Sequence, residues 1–105
     1  MRIRILSTAE IDLEEGYRFY ESQSPGLGSH FLDSLYSDID SLAYFGGIHQ
    51  IIFGYHRQLS KRFPFAIYYR VIDDVVVVFA VLFCVIILSL SPAARCSSRH
   101  INEWL

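Results

Sequence analysis

Charge is scarce in this chain: 19% of its 105 side chains are charged and 52% are hydrophobic, against roughly 25% charged in an ordinary soluble domain. That balance excludes a disordered chain and leaves apolar surface for a partner to cover. Cysteine is nearly absent. Cys84 and Cys96 are too few for a disulfide framework and too far apart in sequence for a zinc site, so a reduced, cytoplasmic setting is expected. Cys84, inside an apolar run, reads as a small buried hydrophobe with a free thiol. Met1 to Leu6 lacks the apolar stretch of a signal peptide, which argues against secretion. Neither GxxxxGK[ST] nor GxGxxG occurs, and His30, His49 and His100 have no partner at metal-ligand spacing; no nucleotide, cofactor or metal is expected. Repeats, low-complexity segments and linkers are missing as well, and the length suits one domain.

The charges that are present are sorted by sign. Glu10, Asp12, Glu14, Glu15, Glu21, Asp33, Asp38 and Asp40 share their segment with Arg18 as its only Lys or Arg. From Tyr55 to Val71 the sign reverses, with Arg57, Lys61, Arg62, Arg70 and His56 and no acid. Two readings stay open: ordinary solvated faces, or a basic sheet face that holds an anionic partner, an acidic peptide or nucleic acid. Val75 to Leu90 is uncharged but falls short of the about 17–25 residues of a membrane span. Its valines and isoleucines suit a buried strand from Val75 to about Phe83, and no membrane partner is expected. The continuation to Leu90 is longer than such a strand needs.

Periodicity then places the elements. Arg2-Ile3-Arg4-Ile5-Leu6 alternates as a short edge strand does. Ser7-Thr8-Ala9-Glu10 matches a capping box, and Ala9, Leu13, Gly16, Tyr17 and Tyr20 form the stripe of a first helix. Ser24-Pro25-Gly26-Leu27-Gly28 ends it, because proline excludes helical geometry at the residue before it. Leu32, Leu35, Tyr36, Ile39, Leu42 and Ala43 repeat the stripe and predict a second helix from about Ser29 to Tyr44, stopped by Gly46-Gly47. Tyr17, Tyr20, Tyr36 and Tyr44 are expected in helix packing. After Ile48 to Phe53, Tyr55 to Arg62 alternates as a weakly buried strand. Pro64 fixes the entrance of a strand over Phe65 to Ile72, and Asp73-Asp74 turns it into the Val75 strand as an antiparallel hairpin. The order is β-α-α-β-β-β. The fold class is α+β, a helical hairpin packed on one face of a mostly antiparallel sheet whose other face is open. A short helix over Arg95 to Trp104 is left open.

Three blocks carry a resemblance. Ala9-Glu10-Ile11-Asp12-Leu13 leads to Tyr17-Arg18-Phe19-Tyr20-Glu21; Ser24-Pro25-Gly26-Leu27-Gly28 is followed by Phe31; Tyr55-His56-Arg57 precedes Arg62-Phe63-Pro64-Phe65-Ala66-Ile67-Tyr68-Tyr69-Arg70-Val71. In order and spacing they resemble the RelE/ParE superfamily of bacterial toxins, closest to its ParE-like, "plasmid stabilization" branch. The resemblance covers residues 1–83 and leaves 84–105 as a divergent C-terminal segment. It implies the toxin component of a type II toxin–antitoxin system, neutralised by a cognate antitoxin that wraps it, in a dimer or higher toxin–antitoxin assembly. ParE-like members poison DNA gyrase by binding. RelE-like members cut messenger RNA on the ribosome, and an inactive relic that binds only antitoxin is a third reading.

Metal-free RNA cleavage needs a group to take the 2′-hydroxyl proton, cations to hold the phosphate and an acid for the leaving oxygen. His56, Arg57, Arg62, Tyr68 and Arg70 are the candidates for that chemistry. The resemblance places a basic residue in ribonucleases where this chain has Ala66, which points to binding. For a partner-binding face the candidates are Arg57, Lys61, Arg62, Tyr68 and Arg70 on the open side of the sheet, offered to an acidic helix or an added strand.

Overall fold

A computed structural model describes residues 1–84. The continuation to Leu90, nearly all of the divergent segment 84–105, and the helix over Arg95 to Trp104 lie outside the described residues.

Strand β1 (Arg2–Ile5) is followed by helices α1 (Ser7–Gln23), α2 (Leu27–Asp40) and the one-turn α3 (Leu42–Phe45). Strands β2 (Ile51–Ile52), β3 (Tyr55–Leu59), β4 (Phe65–Ile72) and β5 (Val75–Phe83) complete the described residues. The sheet order is β1-β5-β4-β3-β2, antiparallel throughout except where β1 runs parallel to β5. The α+β class is the expected one; the helix expected from about Ser29 to Tyr44 is divided at Ser41 into α2 and α3, and the two-residue β2 is an addition to the expected order. No helix among the described residues is long and apolar enough to cross a membrane.

Helix α1 buries Ala9, Leu13 and Gly16, and α2 buries Phe31, Leu35 and Ile39. Both stripes meet Phe65, Ile67, Tyr69, Val76, Val78 and Val81 of the sheet. Ser24 is extended, at φ −161° and ψ 135°, as the proline after it requires. Gly26 turns the chain at φ 87°. The Glu21 carboxylate then accepts the Gly26 and Gly28 amides at 3.1 and 3.0 Å, which satisfies the first turn of α2 from the end of α1.

The expected capping box does not form. Leu6 occupies the cap position of α1, with no side-chain cap bond. The competing demand is the edge of β5, which outlasts β1. Past Ile5 that edge is satisfied by the Leu6 amide on the Val78 carbonyl at 3.1 Å, by the Thr8 hydroxyl on the Phe79 carbonyl at 2.8 Å, and by the Asp12 carboxylate accepting the Val81 amide at 3.0 Å. Buried strand groups must be paired, and the first turns of α1 supply the partners. Asp38 works the same way at the end of α2, accepting the Ser60 hydroxyl at 2.8 Å and the Lys61 amide at 3.3 Å.

The entrance to β4 is as rigid as Pro64 suggests. The Phe65 amide reaches the Phe63 carbonyl across the proline at 2.7 Å, and Phe63 packs against Tyr20, Phe31 and His30 at ring separations of 4.8, 5.3 and 5.4 Å. Asp73 and Asp74 both adopt positive φ, 50° and 63°, in the β4–β5 turn. Of the helix tyrosines, Tyr20 packs at the core, but Tyr36 is 39% and Tyr44 84% exposed. Tyr44 falls on the one-turn α3, whose buried residue is Leu42.

Candidate functional site

Alternation sends successive strand residues to opposite faces, and residues paired across strands share a face. One face lies under the helices. The pairings put Ala66, Tyr68 and Arg70 of β4 on the other, with Tyr55 and Arg57 of β3, Val77, Ala80 and Leu82 of β5, and Arg2 and Arg4 of β1. Val77 is paired with Arg4 on one side and Arg70 on the other, so those two arginines stand about 10 Å apart, two strand spacings. Arg2, Arg4 and Arg70 are exposed. The strand residues of this face include no carboxylate and no imidazole.

Arg70 is held in place. Its guanidinium lies 4.1 Å over the Tyr55 ring and 5.5 Å from that of Phe79, and its Nε donates to the Gly54 carbonyl at 3.2 Å. The aromatic ring and the carbonyl orient the planar fork and leave its outer nitrogens for an anion. Arg57 sits across from Tyr68, where both are buried, at 7% and 1% exposure. Burial pushes the Tyr68 hydroxyl above its ordinary pKa, and the Arg57 charge beside it pulls the other way. The net upward shift keeps that hydroxyl protonated, a donor rather than a base.

The expectation of an open second face needs correction. Ala66, Tyr68, Ala80, Leu82 and Cys84 form a second buried cluster, with Tyr55 packed against it. Phe65 to Tyr69 and Val75 to Phe83 are continuous apolar runs, the pattern of strands buried on both sides. Arg57 and Tyr68 belong to that buried part, and the accessible cations are those of β1 and Arg70. Cys84 is buried as its surroundings suggested, but it is disulfide-bonded and not a free thiol.

Lys61 and Arg62 are not on a strand. They are exposed in the connection between β3 and β4, near the Ala66 end of β4 and so about 13 Å along the strand from Arg70. His56 pairs with Tyr69 on the helix side of the sheet. Of the five residues suited to RNA cleavage, the fold therefore brings Arg57, Tyr68 and Arg70 to one face and puts His56 on the other and Arg62 in a loop.

His56 belongs instead to a cluster that the sequence reading did not foresee. Its ring stacks on Tyr69 with centroids 5.1 Å apart, and its Nδ1 lies 2.7 Å from the His49 carbonyl. The Tyr69 hydroxyl meets His49 Nδ1 and accepts the Gly47 amide at 3.0 Å. This cluster fastens the loop before β2 onto the sheet. No spacing in the sequence announces it, because β4 has to be paired with β3 before the three rings meet. Arg2 and Arg4 were also missed as site residues. Their signal was present: the alternation that turns Ile3 and Ile5 inward must turn both arginines to the far face.

No protein-family model matches the chain, and neither does any curated protein. Among solved structures it is similar to a chain of the "Chromosomal ParDE TA system from P. aeruginosa", with a TM-score of 0.68 and 19% sequence identity over 77% of this chain and 92% of that one. That likeness is one of fold: two helices on a five-stranded, mostly antiparallel sheet.

Proposed function

We propose that the chain is the toxin component of a type II toxin–antitoxin pair, ParE-like, acting in the bacterial cytoplasm by binding DNA gyrase and neutralised by a cognate antitoxin. Residues 1–83 form the toxin domain, and 84–105 are a divergent C-terminal segment. The observation that carries this reading is the sheet face on which Arg4 and Arg70 stand exposed with no carboxylate among its strand residues, while Arg2, at its rim, lines a pocket with Asp73 and Asp74 of the β4–β5 turn. Such a face attracts an acidic segment and, with Val77 between Arg4 and Arg70 and Tyr55 beside Arg70, also offers it apolar contact. The fold shared with a ParDE chain and the three sequence blocks support the same identity.

Binding is favoured over RNA cleavage by two features. The basic face offers no proton acceptor for a 2′-hydroxyl. Ala66, which stands where the resemblance places a catalytic cation, is fully buried with Leu59 and Leu82 as its strand partners.

Expression of the chain alone in a bacterial host should arrest growth, and co-expression of a cognate acidic antitoxin should relieve the arrest. The purified chain should inhibit supercoiling by gyrase and leave messenger RNA uncut. Unimpaired growth would overturn the toxin assignment. Arrest accompanied by mapped cuts in messenger RNA would replace binding with ribonuclease chemistry.

A further inference from the structure

The two faces of the sheet are covered from different parts of the chain. Helices α1 and α2 close the core on one face. The loops lean the same way, with Phe63 packed on that core and His49 on Tyr69. On the other face Ala66, Tyr68, Ala80, Leu82 and Cys84 are at most 1% exposed, and no residue of a described helix belongs to their cluster. Side chains stand off a sheet roughly perpendicular to it, so strand neighbours alone do not bury them; other atoms must lie above. The burial is that of one chain, so the cover belongs to this chain.

The burial is graded along the strands. On β5 this face passes from half-buried Val77 to buried Ala80, Leu82 and Cys84, and on β4 from exposed Arg70 to buried Tyr68 and Ala66. Leu59, beside Ala66 on β3, is exposed and marks the far limit of the cover. The covered end is the one where the chain leaves β5. From Cys84 it continues as residues 85–105, which open on the apolar Val85, Ile86, Ile87, Leu88 and Leu90. Cys84 is disulfide-bonded, and the other cysteine of the chain is Cys96. A disulfide keeps its two Cα atoms within about 7 Å. Crossing from β5 to β3 takes two strand spacings, about 10 Å, a distance that a few extended residues span at about 3.3 Å each.

We infer that the Ala66–Leu82 half of the second sheet face is the docking site of the chain's own residues 85–105, pinned beside it by a bridge from Cys84 to Cys96. The inference is independent of the toxin assignment and restricts it. A partner meets Arg4 and Arg70 on the half of the face left open, whereas Arg57 and Tyr68 become available only when the segment leaves. The C-terminal segment is then an internal competitor for any partner that needs the whole face.

Hydroxyl-radical footprinting of the full chain tests this, with Leu35 on the helix side as the control for folding. In the parent Tyr68, Leu82 and Leu35 should all be protected, at every protein concentration. A full-length variant carrying Val85→Ser, Ile86→Ser, Ile87→Ser, Leu88→Ser and Leu90→Ser together should oxidise at Tyr68 and Leu82 about tenfold faster or more, as buried side chains become surface ones, while Leu35 stays protected. Equal protection of Tyr68 and Leu82 in the folded variant would overturn the inference, as would rapid oxidation of both in the parent. Protection that vanishes on dilution would assign the cover to a second copy and overturn it too. Peptide mapping of the unreduced parent is the independent measurement, and it decides if the five substitutions expose Leu35 as well. A peptide joining Cys84 to Cys96 within a monomer is expected; two free thiols, or a bridge between two chains, would overturn the inference.

Discussion

The Tyr69 hydroxyl accepts the Gly47 amide hydrogen at 3.0 Å, joining the centre of the sheet to the loop that precedes its edge. Tyr69 is fully buried and Gly47 holds φ 98°. Tyr69→Phe keeps the ring packing and removes this acceptor together with the contact to His49. An unmet amide and a lost hydroxyl partner should cost about 1–3 kcal/mol. Urea unfolding of the two proteins measures it, and equal midpoints would show that the contact contributes nothing.

The same cluster should make stability depend on pH. Burial, and secondarily the charge on His56, hold His49 below the ordinary histidine pKa. Between that lowered value and about 6.5 the unfolded chain binds more protons than the folded one. Stability is therefore complete above about pH 6.5 and falls as the pH drops from there toward the folded value. The groups facing His49 are His56 and the Tyr69 hydroxyl. Melting temperatures at neutral and mildly acidic pH should differ, and His49→Asn should flatten the difference. A pH profile that His49→Asn leaves unchanged would assign the titration elsewhere.

Gly28 sets how closely the two helices approach. A Cβ there would stand 2.7 Å from the Tyr17 carbonyl oxygen, 2.8 Å from Tyr17 Cδ2 and 2.9 Å from Glu21 Cβ. Gly28→Ala gains up to about 1 kcal/mol of helix propensity, but the clash includes backbone, which cannot rotate away. Overpacking of this kind costs about 1–3 kcal/mol, and the net change should be destabilising. A variant more stable than its parent would mean that the hairpin can open without loss.

Ala66→Arg separates the binding reading from a ribonuclease that has lost one residue. Ala66 is fully buried and paired with Leu59 and Leu82, so an arginine there would have neither space nor a counter-charge. The variant should lose at least about 3 kcal/mol of stability and should not cut RNA. RNA cleavage by a folded Ala66→Arg protein would instead show a catalytic frame that lacked only its cation.

The parts of the fold fixed by neighbours in sequence were legible. Pro25 ends α1, Asp73-Asp74 turns β4 into β5, and the valine run of Val75 to Phe83 forms a full strand. What failed were readings in which a distant partner decides. Ser7-Thr8-Ala9-Glu10 has the spacing of a capping box, but Thr8 is drawn to the Phe79 carbonyl because β5 outruns β1. Lys61 and Arg62 continue the alternation of β3, yet the carboxylate of Asp38 draws the chain at Ser60 and Lys61 toward α2. The site was half legible for the same reason. Arg57 and Arg70 could be named from the acid-free segment; alternation already turns Arg2 and Arg4 away from the core, but only the pairing of β1 with β5 brings them to the same part of the sheet as Arg70.

The basic face is the centre of this account, and the most direct measurement is calorimetric titration of the acidic antitoxin proposed above, once isolated, into the parent and into an Arg4→Glu/Arg70→Glu variant, at low and high salt. Both arginines are exposed, so the variant should fold as the parent does. The account predicts parent binding that weakens as salt rises, and a variant that binds at least about tenfold more weakly with a smaller salt dependence. Equal affinities, with the same response to salt in both proteins, would contradict it.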